Sequence, residues 1–210
     1  MAKFIQFIKA WLVYAANYKR PETFASKRVV TVPTITRTLT DDEMKKVFGD
    51  FNEYLNIDGN INATWERKIL TYIPLPKSLP LAWNKSVRVH RISCHFLIAD
   101  FLQKALEEIS KHQSVWDTIN DYGGVYSFRM QRESGSVSRH SWATAIDLDV
   151  GDNPFKAIPN VHPRIVEIFL KNGFLWGGSD IFPEGRKDGM HFEFADLSKI
   201  GDTNGGHKRK

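Results

Sequence analysis

The chain has 210 residues, of which 42% are hydrophobic and 25% charged, the composition of an ordinary soluble globular protein and enough length for one domain with its own core. Its 29 Lys and Arg against 24 Asp and Glu give a net charge of +5 and a pI near 9.2, a mild excess that favours polyanionic surroundings such as teichoic acid, lipopolysaccharide, phospholipid or nucleic acid without choosing among them. A single cysteine, Cys94, excludes an internal disulfide and a cysteine-built zinc cage, and no apolar run approaches the ~18 to 20 residues that a membrane-spanning helix requires.

In MAKFIQFIKAWLVYAAN, residues Phe4, Ile5, Phe7, Ile8, Trp11, Leu12 and Ala15 share one side of a helix opposite Gln6, Lys9 and Asn17, an amphipathic pattern. A helix docked on its own domain is the simplest reading. An interfacial helix and a signal peptide starting at Lys3 and ending near Ala15 or Ala16 are its rivals, although Lys9 interrupts the apolar stretch of the latter. The basic, proline-broken stretch from Tyr18 to Thr36 reads as a linker or an extended arm.

Thr40, Asp41 and Asp42 form a helix start before the stripe Met44, Val47, Phe48, Phe51. Residues 57–89 carry Gly, Asn and Pro signals around a short strand-like segment, Lys68 to Ile73. From His95 to Ile109, Leu97, Ile98, Phe101, Leu102, Ala105, Leu106 and Ile109 recur at helical spacing, with Cys94 at the start as a packed thiol rather than a nucleophile. Three strands are expected next, each alternating with a period of two: VYSFRM (125–130), AIDLDV (145–150) and MHFEF (190–194). Paired in one sheet, they bring Arg129, Asp147 and His191 to one open face. A helix from Pro163 to Lys171 separates the last two strands and stops at Asn172-Gly173. DVGDNP, with Asp149, Asp152 and Asn153, reads as a turn, since it lacks the alternating oxygen ligands of a calcium loop. The tail GDTNGGHKRK reads as disordered.

His140, Asp147 and His191 supply two imidazoles and a carboxylate, the ligand set of a catalytic zinc whose fourth position is left to water. Seven residues separate His140 from Asp147, which would put them on opposite faces of one strand, so His140 is expected on the preceding loop, supplied by the run from Ser134 to Ser138. Hydrolysis of a peptide bond also requires a proton acceptor beside the activated water and a cation near the developing oxyanion. Asp188, three residues before His191 across Gly189, and Arg129, from the neighbouring strand, are the candidates. Glu193 shares the face of His191, either holding that ligand by a hydrogen bond or standing solvated. Ser138 is better placed to position His140 than to act as a nucleophile, since no Ser-His-Asp order with a glycine elbow occurs. Trp142 and Trp176 could line a groove for a glycan or stem peptide, or equally pack in the core. His90, His95, His112, His162 and His207 belong to no matching motif and read as structural or exposed. The basic residues form no stripe interleaved with aromatics, which argues against nucleic acid.

Ser138-x-His140, Ala145-x-Asp147 and Asp188-x-x-His191-Phe192-Glu193 resemble the motifs of the zinc peptidases that include the VanY-like D-alanyl-D-alanine carboxypeptidases and the phage L-alanyl-D-glutamate endolysins. Tyr126-Ser127-Phe128-Arg129 is similar to that family's arginine strand and Gly173-Phe174-x-Trp176-Gly177-Gly178 to its stretch before the second histidine, so the likeness runs from about residue 38 to 195. The resemblance implies that His140, Asp147 and His191 bind Zn2+, that Asp188 is the catalytic base and that Arg129 holds the substrate or oxyanion. Ala143 stands where the family usually has glycine. Aspartate at 188, where the dipeptidase branch has glutamate, resembles the endopeptidase and carboxypeptidase branches.

The expectation is therefore an α+β fold, a small antiparallel sheet with the zinc site on one face and helices packed on the other. Its layout is an amphipathic helix and basic linker over 1–36, a zinc peptidase domain over 37–197 and a flexible basic tail over 198–210. The expected function is hydrolysis of the peptidoglycan stem peptide by an endolysin-like L-alanyl-D-glutamate endopeptidase. The alternatives are a D-alanyl-D-alanine carboxypeptidase and a zinc-stabilised wall-binding or virion component without turnover, against which the intact Asp188 and Arg129 argue. The protein is expected as a monomer made in a host cytoplasm and acting at the cell wall without signal-peptide cleavage, with the stem peptide and an anionic envelope polymer as partners. A carboxypeptidase needs a fixed cation for the terminal carboxylate. Beyond Arg129 none is expected on the open face, because Arg132 and Arg139 fall in the loop and Arg186 precedes the base.

Overall fold

The computed structural model describes residues 35–129, 136–182 and 186–201. All lie within one unit, Val32–Lys210. The amphipathic segment, most of the basic linker and the tail from residue 202 fall outside the described residues.

Helix α1, Asp41–Phe48, starts where the sequence places it. Thr40 accepts from the Glu43 amide at 3.2 Å while Glu43 accepts from the Thr40 amide at 2.8 Å, a capping box that satisfies two donors the helix itself cannot. Met44 and Phe48 are its buried residues. A short helix α2, Ala63–Ile69, is capped by Asn62 and buries Trp65 and Ile69.

The next segment departs from expectation. In place of one short strand at Lys68 to Ile73, a long antiparallel hairpin forms from β1, Leu70–Leu81, and β2, Asn84–His95. Prolines 74, 76 and 80 conceal it in the sequence, because proline cannot donate to a ladder. They are tolerated because β1 meets β3 only at Leu81↔Tyr122, and the β1–β2 register shifts between Pro74 and Leu79. The helix expected from His95 begins later. β2 runs to His95, Phe96–Ile98 makes a 3-10 turn, and α3 is Ala99–Ser110. Cys94 is thus at the end of a strand, and burial pushes its thiol up to about 12, which removes it from chemistry near neutral pH.

After the short helix α4, Gln113–Trp116, come β3, Tyr122–Gly124, and β4, Ala145–Leu148. Then follow α5, Pro163–Lys171, β5, Phe174–Trp176, β6, His191–Phe194, and α6, Leu197–Gly201. Of the strand expected at 125–130, the described residues 125–129 form none. Residues 125–129 lie outside the sheet, held by the Ser127 amide donating to the His140 carbonyl at 3.1 Å and the Ser138 amide donating to the Arg129 carbonyl at 3.0 Å. Helix α5 and its stop at Asn172 and Gly173 are as expected, Gly173 taking φ +92°, a conformation costly for a side chain. Helix α6 crosses the boundary placed at 197.

The sheet has six strands in the order β2-β1-β3-β4-β6-β5 and is mixed, not the small antiparallel sheet expected. Every pair is antiparallel except β1–β3. Alternation along one strand cannot reveal which distant strand it joins or in which direction. Here α3 and α4 intervene between the hairpin and β3, which returns beside β1 in parallel. The core lies against one face. Phe169 of α5 stacks on Phe192 at 4.2 Å and Phe101 of α3 meets Phe194 at 5.3 Å. Since Phe192 and Phe194 alternate with His191 and Glu193, the helices cover the face opposite the histidine. Among the described residues no helix is long and apolar enough to cross a membrane.

Candidate metal centre and active site

The site is built on the β4–β6 pair. Asp147 lies directly opposite His191 in register, and its buried neighbours Ile146 and Leu148 turn into the core, leaving the carboxylate on the other face. His140 arrives on a 3-10 turn, Arg139–Trp142, that Ser138 caps by accepting from the His140 amide at 3.4 Å. The turn ends at Ala143 in the left-handed region, φ +54°. This is the position where glycine is usual in the resembling family, and the conformation accounts for that preference; alanine there costs on the order of 1–2 kcal/mol. Residue 139 is not a free loop arginine. Arg139 is buried, and its guanidinium donates to Asp41 of α1 at 2.8 Å and to the Leu39 carbonyl. Asp41 also accepts from the Val137 amide at 3.2 Å, so the first residue of α1 fixes the segment leading into His140.

Three atoms converge. His140 Nε2 is 3.2 Å from Asp147 Oδ1 and 3.2 Å from His191 Nδ1, and His191 Nδ1 is 3.0 Å from Asp147 Oδ1. Their remaining nitrogens are committed elsewhere. His140 Nδ1 lies 2.8 Å from the Val125 carbonyl and His191 Nε2 lies 3.1 Å from Glu193 Oε2. Both partners are acceptors, so each of these nitrogens carries the hydrogen, and two imidazole lone pairs are left facing a carboxylate. Such a cluster of acceptors is stable only around a positive charge. A tetrahedral ion with ligand bonds of about 2.0–2.1 Å holds its ligands about 3.3 Å apart, close to the spacing present. The residues therefore fit a zinc ion, with the three as its ligands.

The electrostatics agree. Burial alone would lower the His191 imidazole, but its bonds to Asp147 and Glu193 outweigh this and raise it to about 10. Burial alone would raise Asp147, but His140 and His191 outweigh this and hold it well below the usual carboxylate range. A proton on His191 or a divalent cation among the three can supply the charge the cluster demands. Glu193, buried and bonded to His191, does not stand in solvent and is placed to orient that candidate ligand.

Asp188 occupies the turn before β6 and is held by the end of β5. Its amide donates to the Gly177 carbonyl at 3.0 Å, its carbonyl accepts from the His191 amide at 3.1 Å, and the Gly177 amide donates to the His191 carbonyl at 2.8 Å. A Cβ on Gly177 would stand 2.4 Å from the Asp188 carbonyl oxygen, so glycine is what permits this close approach. Trp176 donates to the Gly189 carbonyl at 2.8 Å and stacks on Phe192. It braces the turn from behind rather than lining the cleft, and Trp142 is fully buried in the core. Asp149, Asp152 and Asn153 form a turn, with the Asn153 side-chain Nδ2 donating to Asp149 Oδ2 at 3.0 Å.

A cleft of about 340 Å³ opens over the three ligands, lined also by Arg129, Ser138, Asp188 and Glu193, within the usual size of small-molecule sites. Arg129 reaches it from the segment after β3, its amide bonded to Ser141 Oγ at 3.0 Å. Zinc bound there would act as a Lewis acid and lower the pKa of its water ligand. Of the chain's own groups at the cleft, the Asp188 carboxylate can take up a proton and the Arg129 guanidinium can meet developing negative charge. Trp83, Phe155 and Phe182, which the sequence did not single out, also line it, as does Arg186, which the sequence reading set aside. Arg186 corrects the expectation of no second cation. Trp83 had a signal, a large aromatic in the polar turn LAWNKS, but only the hairpin shows where that turn lies.

Residues 132–194, a span that ends with β6, match a family model described as D-alanyl-D-alanine carboxypeptidase. No curated protein and no solved structure matches the chain. The match covers less than a third of the chain; together with the His-Asp-His cluster it supports a zinc metallopeptidase.

Proposed function

We propose that the protein is a zinc-dependent endopeptidase that cleaves the peptidoglycan stem between L-Ala and D-Glu, acting at the cell wall. One observation carries this reading: the cleft continues on both sides of the ligand triad. Ala82 and Trp83 come from the β1 side of β4, whereas Phe182, Arg186 and Asp188 come from the β5–β6 connection on the other. An internal bond needs subsites on both sides of the reacting carbonyl. The D-Glu residue of a stem is joined through its γ-carboxyl and keeps a free α-carboxylate, which Arg186 is suited to hold. In the cycle, Asp188 takes the proton of the attacking water and passes it to the departing amine, and Arg129 faces the oxyanion.

The same Arg186, together with the family description, favours a second reading, a D-alanyl-D-alanine carboxypeptidase in which that cation holds the terminal carboxylate. Digestion of purified peptidoglycan and of defined muropeptides, with the new termini identified by mass spectrometry, separates the two. The first reading expects new D-Glu amino termini. Free D-Ala released from pentapeptide stems, with the L-Ala to D-Glu bond intact, would replace it with the second.

A further inference from the structure

Trp83 is 71% exposed and lines the cleft. An exposed tryptophan in a concave site is informative, because so much apolar surface is otherwise buried. Leu81 pairs with Asn84, so Ala82 and Trp83 are the whole of a two-residue hairpin turn, and neither is the glycine or asparagine such turns favour. A local rule broken at a cleft points to function. The turn is also anchored. The next residue but one, Lys85, is paired with the buried Asp121, which accepts from the Val150 amide at 2.7 Å, and the Ala82 amide donates to the Tyr122 carbonyl at 2.9 Å.

The sheet register sets the distance. Gly124 pairs with Asp147 and Asp147 with His191, and Ala82 follows the residue that pairs with Tyr122. Trp83 therefore comes off the strand two places from Asp147, roughly 10 Å away at the usual strand spacing. Between them β3 offers Gly123 and Gly124, whose lack of side chains leaves the floor low. A Cβ on Gly123 would stand 2.4 Å from Val150 Cγ2 and 2.9 Å from Asp147 Cβ. Roughly 10 Å is the reach of about three extended residues.

We propose that Trp83 is a sugar-stacking subsite that receives the pyranose ring of the N-acetylmuramic acid carrying the stem. The inference rests on the endopeptidase reading above. With the D-Glu carboxylate on the Arg186 side, the L-Ala side of the bond runs towards Trp83, and L-Ala, the lactyl ether and the pyranose ring together span that distance. The apolar C–H face of a pyranose matches an exposed indole, whereas an anionic group would meet the negative face of the ring.

The test is ligand-observed saturation-transfer NMR on the full-length zinc protein, with the peptide-free GlcNAc-MurNAc disaccharide as probe. Transfer to the sugar ring protons is expected in the wild type, retained in Trp83→Phe and lost in Trp83→Ala. With defined substrates, the ratio of kcat/KM for disaccharide-linked stem to that for free stem should fall about tenfold in Trp83→Ala. No transfer in the wild type, equal transfer in Trp83→Ala, or an unchanged ratio overturns the subsite. Because the disaccharide contains no peptide bond, its binding is read whether or not any stem is cut. Sugar contact without stem cleavage would sink the peptidase reading while supporting the Trp83 contact; stem cleavage without sugar contact would sink the subsite alone.

Discussion

Asp147 and His191 face each other across the β4–β6 pair, with Oδ1 of one 3.0 Å from Nδ1 of the other. In an antiparallel ladder, opposite side chains stand close enough to share a ligand without any loop having to be ordered. Only His140 has to be delivered from outside the pair. Its 3-10 turn is held by the Asp41–Arg139 ion pair at one end and by the left-handed Ala143 at the other.

The first consequence concerns metal content and pH. The protein should carry about one equivalent of zinc by elemental analysis, and His140→Ala and His191→Ala should each lose it. His191 in the metal-free cluster is raised to about 10, so below that pH the entering ion displaces a proton. Affinity should therefore rise with pH through the neutral range by about tenfold per unit and level off near the raised value. Calorimetry in buffers of different ionisation enthalpy should register about one proton released at neutral pH. Undiminished zinc in both variants would sink the ligand set.

Asp188→Asn should retain zinc and lose ~10²- to 10⁴-fold in kcat, because this carboxylate lines the cleft beside the cluster without being one of its three ligands. Parallel metal analysis and turnover on muropeptides check it. Loss of the metal along with activity would make Asp188 a ligand and overturn the division of roles.

Glu193→Gln should weaken zinc binding ~10- to 100-fold at nearly constant volume, since the buried carboxylate, its Oε2 3.1 Å from His191 Nε2, accepts that nitrogen's hydrogen and raises the basicity of the other nitrogen. Competition with a chelator of known affinity measures the change. An unaltered dissociation constant would reduce Glu193 to packing.

Gly177→Ala should destabilise the fold by about 1–3 kcal/mol, because the added methyl lies 2.4 Å from backbone and cannot be accommodated by a rotamer change. Thermal unfolding should show a melting temperature several degrees lower, at roughly 2–4 °C per kcal/mol for a chain of this size. Gly124→Ala is the control for glycine loss with space available, since nothing lies within 4 Å of its Cβ, although its φ of +114° is itself strained. A wild-type melting temperature in Gly177→Ala would show that the β5–β6 turn yields readily.

Much of this was legible in the residues because it depends on short-range chemistry. Thr40 and Glu43 specify a helix start whatever surrounds them, the spacing along α3 and α5 specifies an apolar stripe, and period-two alternation in AIDL and HFEF puts Asp147 and His191 on a polar face before any pairing is known. The two histidines and the aspartate point to a metal site by donor type alone. What the sequence left open depends on contacts between distant segments. The β1–β2 hairpin is hidden by its prolines, which are harmful in a central strand and harmless along β1 because β3 pairs with it at one end only. The parallel join of β1 to β3 cannot be read from either strand. Arg139 looks like a loop cation until Asp41, nearly a hundred residues earlier, is placed beside it. Trp83 and Arg186 become cleft residues only when the hairpin turn and the β5–β6 connection are set on either side of the ligands. Local hydrogen bonding and side-chain periodicity act within a few residues, so one sequence carries them in full; which strand, ion or ring lies across the sheet is settled by the packing of the whole chain.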